Sequence, residues 1–373
     1  MSTAGDPPLS FVMTDGEHTV CSRGITTAFG TAEQASQALR AQETALIVGA
    51  LPFHAADAPA LFAPRNHWFT HGRPASFAAD SRPFPQVETV VASPEKLDHG
   101  RRVEDATRRI ARGEFHKVVL SRQERYTLSS APSPEELLDR FSAGSSTGHC
   151  HLVDLSAAGP RYADHFFIGS SPELLISKRG SYIRSHPLAG TAFRSPDPVV
   201  DQARATELSM SAKDIAEHKF VTAEIKRILA PLCSSLTVPE MPALTSTSHT
   251  WHLGTVIEGT LKDPSTTALE LAHLLHPTPA VSGYPQRETQ RLLREEEPER
   301  GFYAGAFGWA DAAGNGEWRV GIRSAQLHGN VVTARAGGGI VHDSDPHTEV
   351  EETCAKLGPI RTALGLSNVS LNQ

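Results

Sequence analysis

The sequence predicts an α+β fold built mainly on antiparallel strands. Three observations lead there. Strand-like runs follow one another through short turns over residues 148–191 and again over 301–341, with turn signals at Arg179-Gly180-Ser181, at AAGNG and at HGN. Helical patterns are bunched between these runs rather than interleaved with them. No regular alternation of strand and helix appears, so a parallel doubly wound sheet is not expected.

The elements follow in order. Residues 1–10 and the tail after about Gly365 read as frayed ends. Residues 1–96 form a less characteristic N-terminal part, with runs such as TALIVGALPF beside Pro-rich SRPFPQ. From residue 97 to 365 the pattern is firmer. LDHGRRVEDATRRIARGEF reads as a helix closing near Gly113, and HKVVLSRQERYTL as a strand. SPEELLDRFSA opens a helix with Ser133 as N-cap and Pro134 at the first position. After the first strand series comes a long helix, SAKDIAEHKFVTAEIKRILAPL. WHLGTVIEGTL, a short helix (TTALELAHLL), the loop HPTPAVSGYP and the final meander follow. A last helix starts at Asp345-Pro346.

The bulk properties exclude several classes of function. The chain has 373 residues and a formal net charge of −7, with no basic stripe, which argues against a nucleic-acid partner. Cys21, Cys150, Cys233 and Cys354 are scattered without zinc-finger or CxxC spacing, so a reducing cytoplasm is the expected setting. The N-terminus lacks the pattern of a secretory signal. The most apolar stretch carries Pro, His and Asp and cannot span a membrane.

The chemistry concentrates in acidic pairs on two distant helices. Asp214 and Glu217 are spaced i, i+3, as are Glu349 and Glu352, so each pair projects from one helix face. Four carboxylates brought together would repel unless they held a hard cation such as Mg²⁺. Each pair also has an ordinary reading. Ser211 and Asp214 fit a capping box, Glu349 suits a helix first turn, and Glu352 pairs with Lys356 at i, i+4.

Alternation places Lys117, Val119 and Ser121 on one strand face, and a desolvated lysine there can serve as a base, or snorkel to water from an edge. Glu173 follows the Gly169-Ser170-Ser171-Pro172 turn; burial would make it a general acid, exposure an ordinary strand-start glutamate. Arg323 shares a face with Gly321, leaving room for a guanidinium to grip a carboxylate. The run Gly337-Gly338-Gly339 can bring backbone N–H groups to an anion, or simply bend a strand. His249 and His252 have a zinc-like spacing but no third ligand nearby.

Together HKVVLSR, FIGSSPELL, HPLAGT, KDIAEH, WHLGTVIEGTL, HPTPAVSGYP, GWAD…GEWRVGIRS, AGGGIV and SDPHTEVEETCAKL resemble the chorismate-utilising enzymes, over roughly residues 97–365. The resemblance implies a single chorismate-binding domain over residues 1–373, with two large mainly antiparallel sheets flanked by helices around a buried site. It implies Mg²⁺ held chiefly by Glu217 and Glu352, with Asp214 and Glu349 helping directly or through water. Catalysis would fall to Lys117 and Glu173. Thr191, His276, Tyr303, Arg323, Gly337, Gly338, Gly339 and Lys356 would contact the substrate. Gly338 departs from the family pattern, where alanine is usual.

Aminating members usually have glutamine at the position of Lys117, and aminodeoxychorismate synthases often have lysine at that of Ala189. The chain thus looks like the water-adding branch, with HPTPAVSG similar to siderophore-type isochorismate synthases. Salicylate synthase is the alternative. No glutamine amidotransferase subunit is expected, and a monomer is.

Overall fold

The structure is a computed structural model that describes residues 7–74, 76–78, 83–145, 148–247 and 250–366. Seventeen strands join in one hydrogen-bonded ladder whose pairings are all antiparallel, and three more form a small sheet. The ladder begins at Val87–Ser93, and the two-residue strand Gly283–Tyr284 joins it beside the start of Lys117–Leu128. It passes through Lys117–Leu128, Val331–Ile340, Ser324–His328, His165–Gly169 and His149–Asp154. It then crosses the N-terminal strands Leu9–Asp15, His18–Phe29, Ala60–His71 and Leu46–Leu51. From there it runs on through Ala306–Asp311, Gly316–Val320, Leu174–Arg179, Tyr182–His186 and Ile257–Leu261 to Cys233–Thr237.

So long a ladder must twist and curl, and here it doubles back on itself. His151, from one half, stacks on Phe307 of the other with ring centroids 3.7 Å apart, and Phe167 packs edge-on to Phe307. The two large sheets expected from the sequence are the halves of this one ladder. The small sheet of Leu188–Phe193, Thr250–Gly254 and Ala243–Ser246 lies outside it.

Residues 9–10 correct the expectation of a frayed N-terminus. Leu9 and Ser10 are buried at the start of a strand in the middle of the ladder. Helices also form at Ala32–Arg40, Pro198–Met210 and Gln286–Glu296, which the sequence reading left unassigned.

Where capping residues were expected, they cap. Ser133 and Glu136 form a reciprocal capping box. The Asp214 N–H donates to Ser211 Oγ at 3.2 Å, starting helix Ala212–Leu229. The Thr348 N–H donates to Asp345 Oδ1 at 2.8 Å, starting helix Pro346–Lys356. These satisfied first turns matter for function because both acidic pairs begin within them. Helix Ala212–Leu229 buries Glu217, Val221 and Ile225, one every fourth residue, so its acidic face is continuous with its apolar one.

Candidate active site

The strand Lys117–Leu128 pairs at its start with Gly283–Tyr284 on one edge and Val331–Ile340 on the other, and its first six residues are buried. Val118 and Leu120 enter the main core, while Lys117, Val119 and Ser121 point the other way, as alternation requires. Lys117 is fully buried, and its Nζ lies 3.0 Å from Glu217 Oε1. The contact is ionic only, since Nζ makes no hydrogen bond of normal geometry. The snorkelling reading of Lys117 is therefore excluded.

Beside this pair opens a cavity of about 660 Å³. Among the residues expected to act, Glu173, Thr191, Glu217, Tyr303, Arg323, Gly337, Gly339, Glu352 and Lys356 line it, as does Ala189. Glu173 is 2% exposed, and burial pushes its carboxyl up to about 7. The Leu188 backbone and the charges of Lys117, Arg323 and Lys356 work against that rise. Its Oε1 has no partner. A carboxyl that is half-protonated at neutral pH, with a free oxygen at a cavity wall, is equipped to donate a proton.

Two backbone positions near the cavity are held in the left-handed region. Arg323 has φ 52° and Ala304, next to Tyr303, has φ 60°. Non-glycine residues adopt this conformation seldom, and the surrounding structure must hold them there. The Ala304 N–H donates to Gly321 O at 2.8 Å and the Ser170 N–H to Arg323 O at 3.1 Å, which fixes both turns.

The acidic residues gather behind the glycine run. A Cβ on Gly339 would lie 2.1 Å from Glu217 Oε1, and one on Gly338 2.8 Å from Glu349 Oε2. Gly190, with φ 68°, passes so close to Asp214 that a Cβ would meet its Oδ1 at 3.0 Å. Glycine at all three positions is thus what lets the carboxylates approach the strands. Each carboxylate leans on a partner. Lys117 serves Glu217, Lys213 serves Glu349 at 2.6 Å, Lys356 serves Glu352, and the Ser211 hydroxyl serves Asp214.

Among the described residues no three acidic, His or Cys side chains are drawn tightly enough to grasp a metal in this arrangement. The donor set nevertheless fits a hard cation. It is all oxygen, it converges from two helices, and Glu349 Oε2 is buried without a partner. Burial, then the neighbouring Glu352, push the Glu349 carboxyl up to about 7, as expected of an acidic cluster whose charge is incompletely met.

Two sequence expectations change. His276 does not reach the cavity. It ends helix Ala268–Leu275, donates from Nε2 to Pro52 O at 3.0 Å, and lines a separate cleft with Leu51 and Pro52. The following loop contributes Ala280 and Val281 to the wall in its place. Gly338 faces the acidic cluster and not the cavity. His249 lies outside the described residues. His252 is no zinc ligand among the described residues; its ring bonds to Thr250, Thr191 and the Gly190 carbonyl, so it orients the Thr191 wall. Arg335, which the sequence reading passed over, also lines the cavity.

Fold and site together form a chamber with carboxylates gathered at one end and cations at the other. The chain belongs to the family of chorismate binding enzymes, whose profile matches residues 53–365. It is 40% identical to isochorismate synthase DhbC of Bacillus subtilis over 332 residues, 88% of this chain and 83% of that protein. It is 38% identical to isochorismate synthase EntC of Escherichia coli K12 over 327 residues, 86% and 81% of the two chains. Among solved structures, MenF, the menaquinone-specific isochorismate synthase of Escherichia coli, superposes with a TM-score of 0.84 at 26% identity, covering 97% of this chain and 90% of that one.

No described helix is long and apolar enough to cross a membrane.

Proposed function

We propose that the protein is an isochorismate synthase, a cytoplasmic isomerase that converts chorismate to isochorismate with Mg²⁺ for siderophore or related secondary metabolism. The observation that carries this reading is a buried lysine, Lys117, set against Glu217 of the cavity wall, with a proton-holding carboxyl, Glu173, on the same cavity, whose wall at Ala189 offers no amine. The isochorismate synthase names of the relatives support the same product, and favour it over salicylate.

Chorismate is a dianion whose C4 hydroxyl is a poor leaving group. Lys117 acts as the base that takes a proton from a water, and the new hydroxyl bonds to C2. The ring double bonds shift, the C4–O bond breaks, and Glu173 gives its proton to the departing oxygen, which leaves as water. One water enters and one leaves; the proton on Lys117 returns to Glu173 through solvent. Each of these transfers contributes about 10²–10⁴ in rate.

Glu217 and Glu352, helped by Asp214 and Glu349, would hold the Mg²⁺, which supplies a fixed positive charge for the ring carboxylate. A metal on Glu217 would compete with Lys117 for the same oxygen. Lys356, which donates to Gly337 O at 2.9 Å, and Arg323 neutralise the rest of the dianion.

The test is product analysis. Purified protein, chorismate and Mg²⁺ should give a reversible mixture of chorismate and isochorismate by chromatography, with no pyruvate in a lactate dehydrogenase coupled assay. Stoichiometric pyruvate with salicylate fluorescence would move the assignment to salicylate synthase, and ammonium-dependent anthranilate to the aminating branch.

A further inference from the structure

Arg335 sits on strand Val331–Ile340, two and four residues before Gly337 and Gly339, so all three share the face that lines the cavity. It is 8% exposed. Among the described residues it makes no ion pair. One Nη2–H donates to the Glu299 carbonyl at 2.9 Å, which leaves most of its five donors unused.

The two carboxylates whose charge reaches it are already taken: Glu299 pairs with Arg161 at 2.8 Å, and Glu297 is saturated. Glu297 Oε1 accepts from the Ser121 N–H at 2.7 Å and from Arg102 at 2.9 Å. Its Oε2 accepts from the Ser121 hydroxyl at 2.9 Å and from Arg300 at 2.7 Å. Arg300 in turn spends its remaining donors on Val281 O and Val119 O. One acid thus faces three arginines, and Arg335 is the one it does not hold. Burial pulls Arg335 below the ordinary arginine range, the direction of a cation whose charge the protein has not met.

An arginine buried beside a cavity without a counter-ion is costly to keep, unless a ligand supplies the anion. Tyr303 lies in the fields of both Arg323 and Arg335, and all three line the cavity, so two cations act on the wall around one phenol. The acidic cluster lies elsewhere, behind the glycine run.

We propose that Arg335 is a second substrate-binding arginine. Together with Arg323 and Tyr303 it receives the carboxylate of the enolpyruvyl side chain, the one remote from the metal, and so selects dianionic over monoanionic ring acids. The proposal rests on chorismate being the substrate.

The test compares two ligands on three proteins. Binding of chorismate, and of its analogue carrying a methyl ester on the side-chain carboxylate, is measured by calorimetry for wild type, Arg335→Met and Arg335→Lys. A charged hydrogen bond contributes about 1.5–3 kcal/mol, so Arg335→Met should weaken chorismate about 10–100-fold. The ester should bind wild type and Arg335→Met alike, within about twofold, because the ester offers no anion to lose. Arg335→Lys should lie between, since it keeps the charge and loses the fork. KM should rise more than kcat falls.

Equal weakening of both ligands would overturn the proposal and leave Arg335 a wall residue. If Arg335→Met does not fold, the same acid-against-ester comparison on Arg335→Lys decides. The wild-type product assay separately tests the isochorismate reading, so each idea can fail without the other.

Discussion

The two ends of the cavity solve the problem of buried charge differently. At the acidic end each carboxylate has a partner within the chain: Lys117, Lys213, Lys356 or Ser211. At the arginine end Arg323 and Arg335 have no carboxylate partner among the described residues, and the two acids near Arg335, Glu297 and Glu299, are held by other arginines. The acidic end is thus neutralised only in part, with three lysines against four carboxylates, and a cation entering there must compete with lysines. The arginine end is unneutralised and pre-set for an anion. The difference teaches that the protein separates chemistry from capture. In the proposed reading the candidate metal ligands lean on partners within the chain, while the two arginines proposed to hold substrate do not.

Breaking the chemical end should give the largest effect. Lys117→Gln removes the base while keeping shape and a polar head. Turnover should fall at least about 10²-fold, with chorismate binding close to normal. Near wild-type turnover in a steady-state assay would reduce Lys117 to a buried partner of Glu217.

Breaking the capture end should show in KM instead. Arg323→Lys keeps charge but cannot reproduce a bidentate fork. A rise in KM of about tenfold, larger than any fall in kcat, is expected from the loss of one charge-assisted hydrogen bond. An unchanged KM would remove Arg323 from the carboxylate site.

A pH profile sharpens the contrast without mutation. Glu173 must be protonated to act as the acid, and burial places its carboxyl at about 7. Its active form is therefore present below about 7 and lost above. On the alkaline side kcat/KM should fall about tenfold per pH unit once the acid is ionised. A profile flat to pH 9 would remove Glu173 as the proton donor.

At the metal end the effect should be smaller. Activity should require Mg²⁺ and vanish with EDTA. Glu352→Gln removes one anion and keeps the outline, so the Mg²⁺ concentration for half-maximal activity should rise severalfold, by roughly the weight of one charged ligand. An unmoved titration would make Glu352 only the partner of Lys356.

Much of this contrast was legible in the sequence, and the illegible part has physical causes. The acidic pairs were readable because i, i+3 spacing survives any tertiary context, and Ser211 and Asp345 announce the helices that carry them. Lys117 was readable as an anomaly, a charge in an apolar strand, but only the structure shows it fully buried against Glu217 of a distant helix. Arg335 was not readable. It alternates correctly with Gly337 and Gly339, yet an arginine in a strand usually reaches water. What makes this one unusual is that Ser121 and Arg102, far away in sequence, together with the local partner Arg300, occupy Glu297. Helix Pro198–Met210 was missed because it has little apolar stripe: Val199 and Met210 are exposed, at 79% and 75%. Leu9–Asp15 was read partly as a frayed end because chain position says nothing about pairing. Its two neighbours, His18–Phe29 and His149–Asp154, supply the burial.

His276 offers the smallest expected effect on activity and the cleanest contrast with both ends of the cavity. The loop motif that contains it resembles a substrate contact, but the ring turns outward from the cavity and spends Nε2–H on Pro52 O. Burial pulls its pKa down to about 4, so it is neutral at pH 7 and contributes no charge to substrate capture. Replacing it by leucine keeps bulk and removes the donor, leaving the Pro52 carbonyl without this partner. The expected cost is about 1–3 kcal/mol of stability, seen as a lower midpoint in urea unfolding with an unchanged slope. KM for chorismate and the Mg²⁺ titration should both stay within about twofold of wild type, the margin expected for a site whose own contacts are untouched. A KM change comparable to that of Arg323→Lys, with stability unaltered, would return His276 to the substrate site and require the loop to close inward when chorismate binds.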